Sequence, residues 1–301
     1  MLLKTAVLTG ATGFIGFALL KELIKNGMYV YVLCRSNSKR RFRLDGLSGI
    51  TVIEADLESA ESVKIKQKCD IFYHLAWDGE RDNFTQQYKN IDIAVNCLKL
   101  SAKLGCKRFI CTGSQAEYGE TKSLITEDTS LQPATAYGAC KAAAYYLTAD
   151  LAKRLDIEYT WVRIFSVYGP NDNQNTLIMN LVKGLKENGS FTLATNGEQI
   201  WNYLYEEDAA RALRMLGTND GITGVYNLAS HVSKPLKYFI EETKRIIAPN
   251  GIISYGTDES AVNLNVSINK IYGMIGEFEN ITYNTGIKKI NFDEIEGNDG
   301  K

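Results

Sequence analysis

Short apolar runs alternate along the chain with stretches in which apolar side chains recur at helical spacing. The runs Thr5–Thr9, Tyr29–Cys34, Ile50–Glu54, Ile71–Leu75, Arg108–Thr112 and Tyr159–Phe165 predict strands, with helices between them. Such alternation predicts an α/β fold, a doubly wound parallel sheet wrapped by helices. The run Tyr-Val-Tyr-Val-Leu-Cys ending at Cys34 has no polar face, as a strand covered on both sides requires. After Phe165 the alternation weakens. Tyr168-Gly169-Pro170-Asn171-Asp172 reads as a turn cluster, Leu177–Lys186 as a helix, and Phe191–Ala194 and Gln199–Tyr205 as strands. A helix near Glu207–Leu216 and a strand near Val225–Leu228 return to the main sheet. The expected division is a main domain of residues 1–165 plus about 203–230, and a small lobe of about 166–202 plus 231–301, interleaved in sequence. Glu294–Lys301 is polar and is expected to fray.

A chain of 301 residues with 45% hydrophobic composition can bury one large core with an appendage. Its 34 basic and 35 acidic residues are dispersed, without a basic block. That argues against nucleic acid or an anionic membrane as partner and leaves small molecules. The six cysteines show no C-x-x-C spacing and lie largely in apolar segments, which points to a reducing compartment. No apolar run approaches ~18 residues and no leader pattern precedes the first strand, so a soluble, cytoplasmic protein is expected. His74 and His231 are the only histidines and stand far apart, so neither a metal site nor a catalytic histidine is expected.

Three glycines, Gly10, Gly13 and Gly16, stand three apart between the first apolar run and an amphipathic stretch reaching Asn26. This strand-to-helix turn is where a pyrophosphate would sit. Gly10 permits the tight turn, Gly13 lets the backbone approach phosphate, Gly16 lets helix pack on strand, and the N–H groups opening the helix hold the anion. Thr12, Phe14 and Ile15 fill out this candidate cofactor site.

Tyr137 and Lys141 are four residues apart in an alanine-rich segment, Ala136-Tyr137-Gly138-Ala139-Cys140-Lys141-Ala142-Ala143-Ala144, that favours a helix beginning at or just before the tyrosine. That spacing puts both side chains on one face, where an ammonium can assist a phenol in acid/base work. The same spacing also describes ordinary surface decoration. Upstream, Phe109-Ile110-Cys111-Thr112-Gly113-Ser114 ends a predicted strand in small hydroxyl residues, and ligands gather at such ends of doubly wound sheets. Ser114 is a candidate to hydrogen-bond a reacting oxygen, or else a turn serine.

Together, and in this order, these features resemble the extended short-chain dehydrogenase/reductase family, in its nucleotide-sugar epimerase, dehydratase and reductase branch. Further segments carry the resemblance: Asp56-Leu57 after the third strand, His74-Leu75-Ala76 after the fourth, Asn90 as the asparagine opening the next helix, and Arg163-Ile164-Phe165-Ser166-Val167-Tyr168-Gly169-Pro170. Tyr203-Leu204-Tyr205-Glu206-Glu207-Asp208-Ala209-Ala210 matches a later strand-to-helix segment, so residues 1 to about 230 are covered and the remainder poorly. The resemblance implies a Rossmann domain binding NAD(P), with Tyr137 as acid/base, Lys141 on the nicotinamide ribose and Ser114 orienting the reacting oxygen. It implies cofactor contacts from Asp56, Leu57, Leu75, Ala76 and Asn90 as well. It also implies a homodimer formed through the helices at Ile91–Leu104 and Ala142–Leu155, whose apolar character would equally suit packing inside the monomer.

Departures from the family pattern sharpen the expectation. Where dehydratases carry Asp-Glu after the catalytic hydroxyl residue, this chain has Gln115-Ala116, which disfavours dehydration; Glu117 remains a nearby carboxylate. After the second strand, Cys34 and Arg35 stand where an NAD enzyme usually has an acidic residue, so NADP is preferred to NAD, with Arg35 reaching the 2′-phosphate. Trp201-Asn202 replaces the arginine that usually meets the diphosphate, and Ser166 replaces an asparagine. Candidate substrate contacts are Gln115, Ser166, Asn175, Thr176 and Trp201, although a large strand aromatic usually packs in a core. The expected activity is reduction of a 4-keto nucleotide sugar. A 4-epimerase retaining NAD is the alternative within the family, and a non-catalytic dinucleotide-sensing protein is the alternative outside it.

Overall fold

The computed structural model describes residues 4–121, 123–258 and 262–290; the tail expected to fray, Glu294–Lys301, lies outside them. The main domain is built from β1 (Thr5–Thr9), α1 (Phe14–Lys25), β2 (Tyr29–Cys34), β3 (Ile50–Glu54), β4 (Ile71–His74), α2 (Phe84–Lys103), β5 (Arg108–Ser114), α3 (Ala136–Arg154) and β6 (Glu158–Ile164). The chain continues through β7 (Val167–Tyr168), α4 (Leu177–Asn188), β8 (Ser190–Thr195), β9 (Ile200–Asn202), β10 (Leu204–Tyr205), α5 (Glu206–Thr218) and β11 (Gly224–Leu228). It closes with β12 (Ser233–Pro235), α6 (Leu236–Ile247), β13 (Ile252–Asp258), α7 (Asn269–Ile275) and α8 (Tyr283–Lys289).

Seven strands form one parallel sheet in the order β11-β6-β5-β4-β1-β2-β3. Strand order reverses between β1 and β4, and the crevice outside their carboxyl ends is where an open α/β sheet takes a ligand. Every residue of β4 is buried, because helices cover both faces of the sheet. One apolar cluster joins α1 and α5 to one face; the other joins α2 and α3 to the opposite face. A third core gathers α4, α6 and α8 around Tyr203, Phe239 and Tyr283, with β8 paired to β13 and β9 to β12.

The predicted strands are present with shifted ends. The fourth stops at His74 rather than Leu75, and the fifth runs on to Ser114. The single strand expected over Gln199–Tyr205 is broken at Tyr203 into β9 and β10, which pair with different partners, β12 and β7. No described helix is long and apolar enough to cross a membrane.

Candidate active site

At the strand ends lies a crevice of about 840 Å³. Of the candidate cofactor contacts, Gly10, Thr12, Gly13, Arg35, Asp56, Leu57, Leu75, Ala76 and Asn90 line it. Gly10 takes the left-handed conformation, φ +77°, and a Cβ there would come within 2.7 Å of the Ala76 nitrogen. A Cβ on Gly16 would come within 2.0 Å of the Gly10 carbonyl, so this glycine is set by packing and lies beneath the crevice. Phe14 and Ile15 do not line it either; Ile15, in the first turn of α1, packs onto the core. Gly13 caps α1 with extended backbone, makes no side-chain capping bond, and the first turn holds no acid. N–H groups without a side-chain cap and backbone bare of Cβ fit the diphosphate of a dinucleotide.

Beyond β2 the crevice is lined by Arg35, Lys39 and Arg40. The segment folds back over the glycine turn, where the Ser38 and Thr12 hydroxyls meet at 3.1 Å and Arg43 donates to the Thr12 carbonyl at 3.2 Å. Arg35 is not the free cation that the sequence implies, because it pairs at 2.6 Å with Asp78 on the loop after β4. The Arg35 guanidinium in turn holds the Asp78 carboxyl below the usual carboxylate range. Both side chains are exposed, so water screens the pair.

Asn90 departs from its expected place. Asn83 caps α2, its side chain accepting from the Gln86 N–H, and Asn90 lies two turns further in and buried. Its amide accepts from the Asp78 N–H at 2.9 Å and donates to the Asp78 carbonyl at 2.9 Å, so at the crevice it fastens the loop after β4.

The acid/base candidates meet where α3 abuts the end of β5. Thr135 caps α3, accepting from the Gly138 N–H, which starts the helix just before Tyr137. A Cβ on Gly138 would stand 2.3 Å from the Ala116 carbonyl, so this glycine lets α3 close onto the turn that follows Ser114. The buried Lys141 ammonium donates to the Thr112 carbonyl at 2.7 Å. It lies 5.9 Å from the Tyr137 ring centre. The Tyr137 N–H donates to the Arg81 carbonyl at 3.0 Å, and the Arg81 guanidinium lies 5.0 Å over the phenol ring. The Ser114 hydroxyl accepts from the Ala116 N–H at 3.2 Å, leaving its own proton to donate.

Glu117 is no open acid. It is fully buried, accepting from the Ser114 N–H at 2.8 Å, the Trp161 indole N–H at 3.1 Å and the Arg163 guanidinium at 2.8 Å. Gly113 exists for this packing, since a Cβ there would lie 2.2 Å from the indole nitrogen and 2.3 Å from the carboxylate. The carboxylate thus braces the strand end that presents Ser114. His74 is likewise structural: its Nδ1 meets the Thr9 hydroxyl at 2.9 Å, and burial, aided by the Lys141 charge, holds the imidazole down at about 3.

The substrate candidates divide. Gln115 opens the turn after Ser114, beside the Tyr137 helix. Ser166 lies just beyond β6, its carbonyl accepting from the Leu204 N–H at 2.9 Å. Thr176 starts α4, but its hydroxyl is taken by Asp172 at 2.9 Å, while Asn175 is exposed. Trp201 packs between the sheet-side core and the lobe core, as its size favours, and Asn202 is buried with its amide on the Leu264 carbonyl at 2.9 Å. Among the described residues, no group of three or more His, Cys, Asp or Glu lies together as a metal would need.

Trp77 directly follows Ala76, the last residue of the strand-end segment that the sequence marks. Its indole lines the crevice, stands edge-on to Tyr137 with ring centres 6.2 Å apart, and lies 3.7 Å from the Lys141 ammonium. The available signal is an aromatic residue directly after a strand end at the switch point.

Comparison with known proteins bears on the whole arrangement. A dTDP-6-deoxy-L-talose 4-dehydrogenase (NAD(+)) from Aggregatibacter actinomycetemcomitans is 25% identical over 78% of this chain and 88% of its own length. A CDP-abequose synthase from Salmonella typhimurium is 26% identical over 94% of this chain and 96% of its own. The crystal structure of UDP-glucuronic acid 4-epimerase from Bacillus cereus in complex with NAD superposes with a TM-score of 0.83 at 20% identity, covering 98% of this chain and 99% of that one. The profile of the NAD dependent epimerase/dehydratase family matches residues 6–229, the stretch that carries the glycine turn, Ser114, Tyr137 and Lys141. By that match, and by a seven-stranded parallel sheet of the same fold, the chain belongs to the NAD-dependent epimerase/dehydratase family, a family of nucleotide-sugar enzymes.

Proposed function

We propose that the protein is an NADP-preferring ketoreductase acting on a 4-keto nucleotide sugar. The observation that carries this reading is the approach of α3 to the end of β5, which sets Tyr137 and Lys141 beside the Ser114 turn. When bound, the reduced dinucleotide supplies the hydride. Tyr137 gives its phenolic proton to the carbonyl oxygen, Ser114 donates a hydrogen bond to that oxygen, and Lys141 brings its charge to the phenol and the nicotinamide ribose. Gln115 and Ala116 carry no ionisable group and Glu117 is committed to Arg163, so the three positions after Ser114 offer no free carboxylate for the proton transfers of a dehydration. Similarity to a 4-dehydrogenase supports redox chemistry at the sugar's C4.

Arg35, Lys39 and Arg40 at the crevice, with Cys34 in place of an acid, support NADPH as the reductant. The alternative reading, a 4-epimerase with retained NAD, draws on the Bacillus cereus epimerase, whose structure contains NAD. Assay of dTDP-, UDP- and CDP-4-keto-6-deoxy sugars with NADPH and NADH tests the proposal. Reduced nicotinamide should be consumed in wild type, and Tyr137→Phe should lose about 10²–10⁴-fold in turnover while still binding cofactor. Native mass spectrometry showing stoichiometric NAD, with no net consumption of reductant, would replace the reductase by the epimerase. We also propose that two copies associate through α2 and α3, which pack together and expose Phe84, Tyr88, Tyr146 and Leu147. Sedimentation at micromolar concentration checks it.

A further inference from the structure

Trp77 is, among the described residues, the only aromatic side chain lining the crevice, and neither Lys141 nor Tyr137 lines it. The ammonium of Lys141, whose residue is only 3% exposed, lies against the indole instead. A dinucleotide in the crevice therefore meets Trp77 before it meets Lys141. The indole is held fast. Its N–H donates to the Gln87 side-chain oxygen at 2.7 Å, and Gln87 is fully buried, its amide donating to the Glu80 carbonyl at 2.9 Å and the Gly79 carbonyl at 3.3 Å. Asn90 secures Asp78 from both sides of its backbone. Two buried amides on one face of α2, three residues apart, thus fix the segment that carries the ring.

We propose that Trp77 is a positioning residue of the acid/base centre. Pinned by Gln87, its indole face keeps the Lys141 ammonium on the Thr112 carbonyl and beside Tyr137, and makes the wall past which the nicotinamide half of a dinucleotide reaches that ammonium. An ammonium shut from water against an indole is held by the ring's negative face, an attraction that an aliphatic side chain cannot supply. This inference rests on the role of Lys141 proposed above.

The test is calorimetric binding of NADPH, NADH and ADP to wild type, Trp77→Leu, Trp77→Phe and Lys141→Met, with melting curves confirming that each is folded. ADP lacks the nicotinamide ribose and serves as the internal control. Trp77→Leu should weaken the tighter-bound reduced dinucleotide about tenfold or more and leave ADP within about twofold, while Trp77→Phe, keeping an aromatic face, should stay within about threefold of wild type. If Lys141→Met weakens the dinucleotide but Trp77→Leu does not, Trp77 is a packed residue and the inference falls while the role of Lys141 stands. Equal loss of ADP and dinucleotide in Trp77→Leu would also overturn it, since the crevice wall as a whole would then have moved. An unchanged dinucleotide affinity in Lys141→Met, or no dinucleotide binding by wild type, would overturn the role of Lys141 itself. Should Trp77→Leu fail to fold, Trp77→Phe decides alone: quenching of tryptophan emission by bound NADPH or NADH should be markedly smaller than in wild type, and undiminished quenching would remove Trp77 from the site.

Discussion

Glu117 shows how a single side chain changes meaning once its surroundings are known. A carboxylate three residues beyond Ser114 reads as a proton-transfer candidate, yet it is wholly buried against Arg163, which is itself 2% exposed. Removing one partner of such a pair leaves an uncompensated charge in the interior. Glu117→Gln should therefore lower unfolding free energy by about 3–5 kcal/mol, as measured by urea denaturation. An open catalytic acid would instead leave stability almost unchanged when replaced. Arg35 makes the opposite case, an exposed cation whose present partner, Asp78, is easily exchanged. Arg35→Ala should narrow the ratio of NADPH to NADH affinity by about tenfold, roughly the worth of one charge-assisted contact to phosphate, with little effect on melting temperature.

At the level of elements, the seating of α3 on the turn after β5 decides whether Tyr137 can work with Ser114. Gly138→Ala places a methyl where the Ala116 carbonyl already is, so the helix must back away. Turnover should fall by about 10²-fold for a displacement near 1 Å, while ADP affinity at the distant glycine turn holds. The alternation of strands and helices, the glycine turn and the Tyr137/Lys141 pair were legible in the sequence because each is local, written within a dozen residues. What escaped it was contact across long chain separations. The partner of Glu117 lies forty-six residues away on β6, and Trp77 meets Tyr137 and Lys141 only when α3 packs against the loop after β4. Asn90 was assigned to the start of α2 because the earlier cap, Asn83, sits in a polar stretch with no apolar rhythm to mark it. Asn90→Ala should cost about 1–3 kcal/mol, the penalty of stripping buried backbone groups of their partner, as read by denaturant unfolding.

Across the whole molecule, His74 couples the centre of the sheet to pH. Folded, it resists protonation until about 3; unfolded, it takes a proton near its ordinary 6.5. The unfolded state therefore binds more protons between those values. The stability that His74 contributes is present above about pH 6.5 and is lost as pH falls towards 3. His74→Asn should flatten this acid slope, measured as unfolding free energy between pH 7 and pH 4. Asp172, pushed up to about 6 by burial, works in the opposite sense, so the comparison is best made between variant and wild type at each pH.

The network behind Ser114 extends well past Glu117. Arg163 reaches the Tyr118 hydroxyl at 2.9 Å, that hydroxyl donates to Asn227 at 2.7 Å, and the Asn227 N–H donates to the Glu127 carboxylate at 2.9 Å. Three neighbouring strands, β5, β6 and β11, are thereby sewn together at one end by charge and hydrogen bonds rather than by apolar packing alone. In the language of local opening, the Ser114 amide cannot meet solvent unless a buried ion pair parts. It should exchange its hydrogen for deuterium only when the entire domain unfolds, whereas the amides of the exposed residues Arg81 and Asp82, beside the Tyr137 ring on which the Arg81 guanidinium lies at 5.0 Å, should exchange fast. The proposed reaction centre would then join the slowest-opening segment of the protein on one side to a fast-opening one on the other, and product would leave past the latter.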